Sequence, residues 1–214
     1  MKRIIVTIGP SIFQSGIYFK HHDSYIYRIN GAHSTDQSLV QMTKLIREEI
    51  KDPKILIDLP GNKIRTSNIH TPIKVVKNES FTLNSQNINF PDFLNYIKRG
   101  QTVYADDSTL RFQVEKVSDD KIIFLSFSNG YLKNGKGLHV RGIHSKIPFL
   151  FQADLDLINA ANEVKLDFVG LSFVRNNTDI NDAKKLIDND ISVIPKVETL
   201  SAVKNIDEIL ANNE

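Results

Sequence analysis

The sequence predicts an α/β protein into which a compact β domain is inserted. In the first and last thirds of the chain, short apolar runs rich in β-branched residues alternate with segments whose apolar residues recur at helical spacing. From about residue 67 to residue 142, short strand-like runs follow one another with turn signals between them. Strands that are joined through helices form parallel sheets, so we expect one parallel sheet from the two outer thirds.

The composition excludes several functional classes. The 214 residues include 27 Lys and Arg against 25 Asp and Glu, and the resulting net charge of +2 argues against a nucleic acid or a membrane as partner. Cysteine is absent, which excludes disulfides, thiolate metal ligands and a cysteine nucleophile. Because there is neither a signal-peptide pattern nor an apolar run of about 18 residues, we expect a cytoplasmic protein.

Three buried strands are predicted in the first third, at residues 3–8, 24–29 and 54–59. The first ends at a Gly-Pro pair and the third at a Pro-Gly pair, both of which interrupt regular structure. Between the second and third strands, Ser34 and Gln37 have the spacing of a capping box. The apolar residues that follow fall near one helical face, so we expect a helix that is capped by Ser34.

The remaining elements follow the same reasoning. In the middle domain the predicted strands are residues 73–76, 80–83, 102–105, 110–117 and 121–127. In the last third, strands at 168–173 and 192–197 alternate with helices at 149–163 and 178–188. Thr199 can cap a final helix, whose apolar residues recur at helical spacing at Leu200, Val203, Ile206 and Leu210.

Polar and charged side chains follow the predicted parallel strands at the points where the strands end. They are Arg28, Asn30 and His33, then Asp58, Lys63 and Arg65, then Ser172 and Arg175, and finally Lys196 and Glu198. Ligands of such sheets bind at the carboxyl ends of the strands, so these cations and carboxylates predict a phosphate and metal site. Each residue also has a structural alternative, such as an ion pair between Lys196 and Glu198 or a buried, hydrogen-bonded Ser172.

A set of ordered motifs resembles the pyruvate kinase family. The motifs are residues 7–11 (TIGPS), 28–33 (RINGAH), 58–66 (DLPGNKIRT), 103–107 (VYADD), 129–137 (NGYLKNGKG), 167–175 (DFVGLSFVR), 195–198 (PKVE) and 205–210 (NIDEIL). Each motif is weak by itself, but their order and spacing are specific. Together they extend over essentially the whole chain and resemble the N-terminal part of the family's fold.

The resemblance implies a partial (β/α)8 TIM barrel. Residues 1–66 and 143–214 are expected to form its first five strands, and residues 67–142 an inserted β domain that serves as a nucleotide lid. The family's sixth strand carries an Ala-Arg-Gly-Asp-type motif that has no match here, so the C-terminal part is expected to be missing. In the lid, Asp106 and Asp107 resemble the family's acidic pair, and Ser108 replaces the glycine that usually follows it.

The activity that the resemblance implies is transfer of a phosphoryl group from phosphoenolpyruvate to ADP, which gives pyruvate and ATP in the last step of glycolysis. Arg28 and Lys196 match the catalytic residues, and Arg28 with Ser172 matches the substrate contacts. Glu198 matches a ligand of Mg²⁺ or Mn²⁺, a role that suits carboxylate oxygen. The positions that match nucleotide contacts are Asn30, His33, Arg65 and Lys136.

The family's monovalent-cation region departs from its usual pattern. Asn30 and Asp58 are retained, whereas Ala32 and Leu59 stand where a serine and a threonine are usual. Lys63 stands where a glutamate is usual. Because a fixed ammonium group supplies the charge that K⁺ otherwise brings, we expect Lys63 to replace K⁺ and the completed enzyme to be K⁺-independent.

The sequence leaves three interpretations open. The chain is part of a pyruvate kinase, a non-catalytic remnant or binding module, or a pyruvate-kinase-like protein with altered chemistry. Five of eight barrel strands would leave two open sheet edges, and the family's second metal carboxylate is absent. We therefore expect the chain alone to be inactive, and a full-length protein to be a homo-oligomer.

Overall fold

The chain divides into two compact units. The structure is a computed structural model that describes residues 3–9, 11, 14 and 21–211. The first unit comprises residues 1–62 and 149–214, and the second comprises residues 63–148. The divisions therefore fall after residues 62 and 148, whereas the sequence predicts them after residues 66 and 142. Pro10 of the first motif lies outside the described residues.

From residue 25 onward, strands and helices alternate in the first unit, whereas the second unit is built mainly of strands. The strands in chain order are β1 (Ile4–Ile8), β2 (Tyr25–Asn30), β3 (Lys54–Asp58), β4 (Ile73–Val75), β5 (Ser80–Asn84), β6 (Thr102–Ala105), β7 (Leu110–Val117), β8 (Lys121–Ser126), β9 (Gly130–Leu132), β10 (Leu138–Val140), β11 (Phe168–Leu171) and β12 (Ser192–Pro195). The α-helices are α1 (Asp36–Glu49), α2 (Gln152–Glu163), α3 (Asn177–Lys184), α4 (Leu200–Lys204) and α5 (Ile206–Ala211). Among the described residues, no helix is long and apolar enough to cross a membrane.

The first unit contains the expected parallel sheet. Its strand order is β1-β2-β3-β11-β12, and every neighbouring pair is parallel. Asp58, the last residue of β3, lies opposite Asn30 of β2 and Gly170 of β11. The register therefore brings the carboxyl ends of the three central strands to one level.

The core of the first unit surrounds β3, which is buried from Ile55 to Asp58. Helices α1 and α2 pack together and contribute buried side chains to this core, among them Leu39, Ile46, Leu157 and Ile158. Burying an aliphatic side chain of this size contributes roughly 1.5–3 kcal/mol. This burial fixes the strand whose last residue enters the candidate site.

The prediction that Ser34 caps helix α1 was wrong, because the N-cap lies one residue later. Thr35 is the N-cap: its Oγ1 accepts a hydrogen bond from the Ser38 amide, and Ser38 Oγ accepts one from the Thr35 amide. Ser34 instead ends the 3₁₀ helix Gly31–His33, and its amide donates to the Gly31 carbonyl. The extra turn after β2 therefore moves the start of the helix.

The final predicted helix is broken into α4 and α5 at Asn205. Thr199 caps α4 as expected, because its Oγ1 accepts a hydrogen bond from the Ala202 amide. The expected apolar face is not buried: Leu200, Val203 and Leu210 are 72%, 56% and 60% exposed. Ala202 and Ile209 are the buried residues of these helices instead. Helical spacing predicted the helices but not the face that packs inward.

Two other helices are shorter than predicted. Helix α2 starts at Gln152, with Phe151 at its N-cap, rather than at residue 149. Helix α3 ends at Lys184 rather than at residue 188, and the Leu186 amide then donates to the Ala183 carbonyl in a turn. Differences of this size are common, because helix ends are the parts that sequence patterns define least well.

The second unit consists of an antiparallel sheet and a separate strand pair. The sheet order is β10-β6-β7-β8-β5, and β4 pairs with β9. The rings of Phe81, Phe112 and Phe124 pack together on one face, with centroids 4.7–5.9 Å apart. Strands β9 and β10, of three residues each, were not predicted.

The turn between β6 and β7 is strained. Asp106, Asp107 and Ser108 have φ angles of 51°, 53° and 70°, all in the left-handed region. Such a conformation costs roughly 1–2 kcal/mol for a residue with a Cβ atom, and glycine avoids most of that cost. Ser108 therefore occupies a position whose backbone favours glycine.

Replacing Ser108 with glycine is expected to raise the free energy of unfolding by about 0.5–1 kcal/mol, the strain relieved less the added freedom of the unfolded chain. Urea denaturation followed by circular dichroism measures the change. Ser118→Gly is the matched control, because Ser118 lies in the next turn without a positive φ, and that substitution is expected to destabilise. Equal destabilisation by both substitutions would contradict the prediction.

A buried aspartate joins the loop after β3 to the start of α2. Asp154 is fully buried; its Oδ1 accepts a hydrogen bond from the Gly61 amide and its Oδ2 one from the Phe151 amide, both at 2.8 Å. Burial raises the pKa of the Asp154 carboxyl to about 6, although the two amide donors act in the opposite direction. The protonated form is therefore favoured more in the folded than in the unfolded chain.

This pKa predicts the pH dependence of stability. The contribution of Asp154 is fully present below its unfolded-state pKa of about 4 and is lost as the pH rises through about 6. The unfolding free energy of the wild type minus that of Asp154→Asn should thus fall by roughly 2 kcal/mol between pH 4 and pH 7. Urea denaturation of both proteins across this range measures the difference, and a difference that rises with pH would rule the assignment out.

Candidate active site

The candidate site is centred on the carboxylate of Asp58 at the carboxyl end of β3. Its Oδ2 accepts hydrogen bonds from Arg28 Nη2 at 2.6 Å and from Arg28 Nε at 2.9 Å. Its Oδ1 lies 2.7 Å from Lys196 Nζ. The two oxygens are thus divided between two cations that come from β2 and from the segment after β12.

A third contact orients the guanidinium of Arg28. Arg28 Nη1 donates a hydrogen bond to Thr7 Oγ1 on the neighbouring strand β1, at 2.9 Å. Together with the bonds to Asp58, this contact fixes the plane of the guanidinium. A planar, fixed fork of N–H donors is suited to binding phosphate oxygens.

Lys196 and Glu198 both lie in the segment after β12. Each has a shorter polar contact with another residue than with the other. Their charged atoms are 3.5 Å apart, which is longer than the contact of Lys196 with Asp58. Glu198 Oε2 accepts a hydrogen bond from the Phe173 amide at 3.0 Å. The structural alternative of a simple Lys196–Glu198 pair therefore accounts for only part of the contacts.

Phe173 holds Glu198 from a strained backbone conformation. Its φ of 56° is in the left-handed region, where a bulky residue is uncommon. Strain of this kind costs about 1–3 kcal/mol and persists only where neighbouring contacts enforce it. The amide that contacts Glu198 thus belongs to one of the strained residues of the first unit.

The donor set fits a divalent cation only in part. Glu198 offers carboxylate oxygen, the ligand type that Mg²⁺ and Mn²⁺ prefer. Within residues 3–9, 11, 14 and 21–211, however, no group of three or more His, Asp or Glu side chains could hold a metal ion. Glu198 can therefore supply one ligand, and the described residues do not complete the site.

The other predicted residues of the first unit are engaged with backbone atoms or solvent. Asn30 Oδ1 accepts a hydrogen bond from the Ala32 amide, and His33 is exposed. Ser172 is buried, and its hydroxyl donates a hydrogen bond to the Leu59 carbonyl at 2.5 Å. This contact matches the alternative of a buried, hydrogen-bonded serine. Their predicted contacts with nucleotide and substrate stay predictions.

Arg175 is committed to a structural ion pair. Its side chain donates to both carboxylate oxygens of Asp179, with distances of 2.6 and 2.8 Å. The hydrogen bonds that Arg175 donates to Asp179 are the main reason that the pKa of its guanidinium is raised. This cation, which lies between β11 and α3, therefore stabilises the start of α3.

In the second unit, the predicted nucleotide contacts Arg65 and Lys136 lie on adjacent segments. Arg65 and Gly137 form an isolated antiparallel β-bridge, and Arg65 Nη1 donates a hydrogen bond to the Gly135 carbonyl at 3.0 Å. Lys136 Nζ pairs with Asp106 Oδ1 at 2.7 Å. Two cations that the sequence places 71 positions apart are thus brought together in one unit.

Gly137 also leaves room for two further polar groups. A Cβ atom at this position would lie 3.0 Å from Lys63 Cε and 3.1 Å from His139 Nε2. Burial, followed by the charge of Lys63, lowers the pKa of His139, and Asp107 acts in the opposite direction. The neutral form of the His139 imidazole is therefore favoured beside these cations.

Three contributors were missed in the sequence. Thr7 lies in the first predicted strand beside Arg28, and its position at a strand end was a usable signal. His139 lies two residues after Gly137, and this spacing did not indicate that its ring lies beside that glycine and near the charge of Lys63. Phe173 contributes its amide, and a side-chain pattern carries no signal for a backbone donor.

Lys63 and the two retained residues of the monovalent-cation region belong to different units. Asn30 and Asp58 are neighbours in register at the ends of β2 and β3. Lys63 is the first residue of the second unit. The replacement of K⁺ by Lys63 stays a prediction.

Comparison with known proteins identifies the family. The profile described as "Pyruvate kinase, barrel domain" matches residues 1–214. The chain is 29% identical to a pyruvate kinase of Clostridium perfringens over 97% of the chain and 48% of that protein, and 27% identical to one of Borreliella burgdorferi over 98% and 47%. Plastidial pyruvate kinase 2 of Arabidopsis thaliana is 25% identical over 99% of the chain and 40% of that protein.

The chain spans about half the length, or less, of these curated relatives. The family profile nevertheless matches it from residue 1 to residue 214. The chain belongs to the pyruvate kinase barrel-domain family.

Proposed function

We propose that the chain carries the phosphoenolpyruvate-binding part of a pyruvate kinase, which transfers a phosphoryl group from phosphoenolpyruvate to ADP. The observation that carries the proposal is the pair of cations, Arg28 and Lys196, that meet at Asp58. Phosphoryl transfer depends mainly on positioning and on neutralising the charge of the moving group. Two cations fixed next to each other at a sheet end supply both requirements.

In the proposed mechanism, Arg28 holds the substrate phosphate and Lys196 stabilises the phosphoryl group while it moves. The bond from the enol oxygen to phosphorus breaks, a bond from an ADP phosphate oxygen to phosphorus forms, and the remaining enolate takes up a proton to give pyruvate. Glu198 is the proposed ligand for Mg²⁺ or Mn²⁺, which neutralises phosphate charge when it is bound. Ser172 is the second proposed substrate contact.

For the nucleotide, the proposed contacts are Arg65 and Lys136 in the second unit and Asn30 and His33 in the first. The ion pair of Lys136 with Asp106 supports this assignment, because an anionic ligand can replace a surface carboxylate as the partner of the lysine. We propose that the second unit acts as a nucleotide lid.

We further propose that the first unit forms the first five strands of a (β/α)8 TIM barrel. Its sheet order follows the chain order without reversal, which fits a barrel better than a doubly wound sheet, whose order reverses at the ligand site. The exposed Ile4 and Ile5 on the terminal strand β1 also fit a sheet that has further partners in a complete barrel. A full-length protein of this kind is expected to be a cytoplasmic homo-oligomer.

Phosphoenolpyruvate binding by the 214-residue chain tests the function. Lys196→Gln and Arg28→Gln should each weaken binding by about tenfold to a hundredfold, because each removes charge-assisted hydrogen bonds. Isothermal titration calorimetry measures the dissociation constants. The matched control is Lys54→Gln, since Lys54 pairs with Asp167 at the amino end of β3 and should leave binding unchanged.

Two results would speak against this assignment. If the wild type does not bind phosphoenolpyruvate, or if Lys54→Gln weakens binding as much as the other two variants, the cation pair is not the binding site. The non-catalytic interpretation would then be favoured. Because the described residues complete no metal site, we expect the chain alone to produce no pyruvate in a coupled assay.

The cation dependence is a separate proposal, in which the ammonium group of Lys63 replaces K⁺. Phosphoenolpyruvate binding should be the same in Na⁺ and K⁺ at constant ionic strength, and Lys63→Glu should make it K⁺-dependent. Lys74→Glu, an exposed charge reversal in the second unit, is the control and should create no such dependence. The proposal would be contradicted if, in the wild type, binding or the turnover of a completed enzyme rose steeply when K⁺ replaced Na⁺.

A further inference from the structure

The contacts of Asp154 connect two parts of the chain that are far apart in sequence. Its carboxylate accepts one hydrogen bond from Phe151, three residues earlier, and one from Gly61, 93 residues earlier. Gly61 is two positions before the second unit begins at Lys63, and Phe151 is two positions after the first unit resumes at Phe149. One carboxylate therefore binds both segments through which the second unit is attached.

A simple helix cap does not require this arrangement. A neutral amide side chain has one acceptor oxygen, which is enough for the Phe151 amide alone. A carboxylate has two oxygens, and in Asp154 each accepts a different amide. Burying an aspartate completely is unfavourable unless its hydrogen bonds compensate. The bond to Gly61 is therefore the feature that distinguishes Asp154 from an ordinary cap.

The segment that Asp154 holds is also packed against the end of β11. Gly61 has a φ of +65°, and a Cβ atom there would lie 2.8 Å from Ser172 Cβ and 3.0 Å from Phe173 Cδ2. The Leu59 carbonyl accepts the Ser172 hydroxyl, and the Leu59 amide donates to the Gly170 carbonyl. The chain thus leaves the first unit along a tightly defined path.

We propose that Asp154 is a positioning residue that clamps the entry and exit segments of the second unit to each other and to the first unit. This proposal rests on the proposed function of the second unit as a nucleotide lid. With Gly61 and Phe151 held, movement of the lid is confined to the few residues between them and the division points at residues 62/63 and 148/149. Asp154 touches no substrate in this scheme and acts through the attachment.

Asp154→Asn in the 214-residue chain tests the clamp, because the amide side chain can accept only one of the two hydrogen bonds. At pH 7.5, where Asp154 is ionised, hydrogen exchange of the Gly61 amide should become about tenfold faster or more. Nitrogen-15 relaxation should show the second unit tumbling more independently of the first. Exchange in β7 and β8, within the second unit, should not change.

Asp179→Asn is the matched control. Asp179 is also a buried aspartate at a helix start that accepts a backbone amide, but its carboxylate binds Arg175 and not Gly61 or Phe151. It should lower stability without altering Gly61 exchange or the tumbling of the second unit. If Asp179→Asn has the same effects, or if Asp154→Asn changes exchange only within α2, Asp154 is a helix cap and the proposal is overturned.

A measurement on the wild type keeps the test valid if Asp154→Asn does not fold. The Gly61 and Phe151 amides should both be protected and should exchange with equal opening free energies, because they share one acceptor group. An unprotected Gly61 amide would contradict the clamp. Phosphoenolpyruvate binding measured on the same proteins separates the two proposals. If the wild type does not bind phosphoenolpyruvate, the proposed function is contradicted and the clamp is not.

Discussion

The carboxylate of Asp58 is the group on which the arrangement of the candidate active site depends. Arg28 and Lys196 are both cationic, and two like charges a few ångströms apart repel strongly where water is partly excluded. Asp58 gives each of them a separate oxygen, so both can be held at one sheet end without an additional ligand. An arriving phosphate therefore meets two cations that are already oriented. The energy of orienting them is supplied by folding and not by binding.

The parallel sheet makes this arrangement possible. Lys196 belongs to the segment after β12, and β11 lies between β12 and β3. The residue of β11 opposite Asp58 is Gly170, where a Cβ atom would lie 3.4 Å from Asp58 Oδ1. The ammonium group of Lys196 reaches across β11 and lies 2.7 Å from the carboxylate. The register of these strands thus assembles a site from residues that are 168 positions apart in the chain.

The sequence predicted the parts of this protein that depend on periodicity and strand ends. The five parallel strands were identified, and Arg28, Asp58, Lys196 and Glu198 were expected together because each follows a strand. It did not predict the packing direction of the last helices, because Ala202 and Ile209 face inward while larger apolar side chains are exposed. Nor could it predict the role of Phe173, since a left-handed φ at a phenylalanine results from tertiary contacts and not from local preference.

Those tertiary contacts also explain why the strain at Phe173 is tolerated. Its ring lies against Gly61, where a Cβ atom would approach Phe173 Cδ2 to 3.0 Å, and Gly61 is held in turn by Asp154. Strain persists only where surrounding contacts over-determine the backbone, and here burial and hydrogen bonding act on the same few residues. The Phe173 amide is consequently directed at Glu198. The attachment of the second unit and the position of the proposed metal ligand therefore depend on one continuous set of contacts within the first unit, from Asp154 through Gly61 and Phe173 to Glu198.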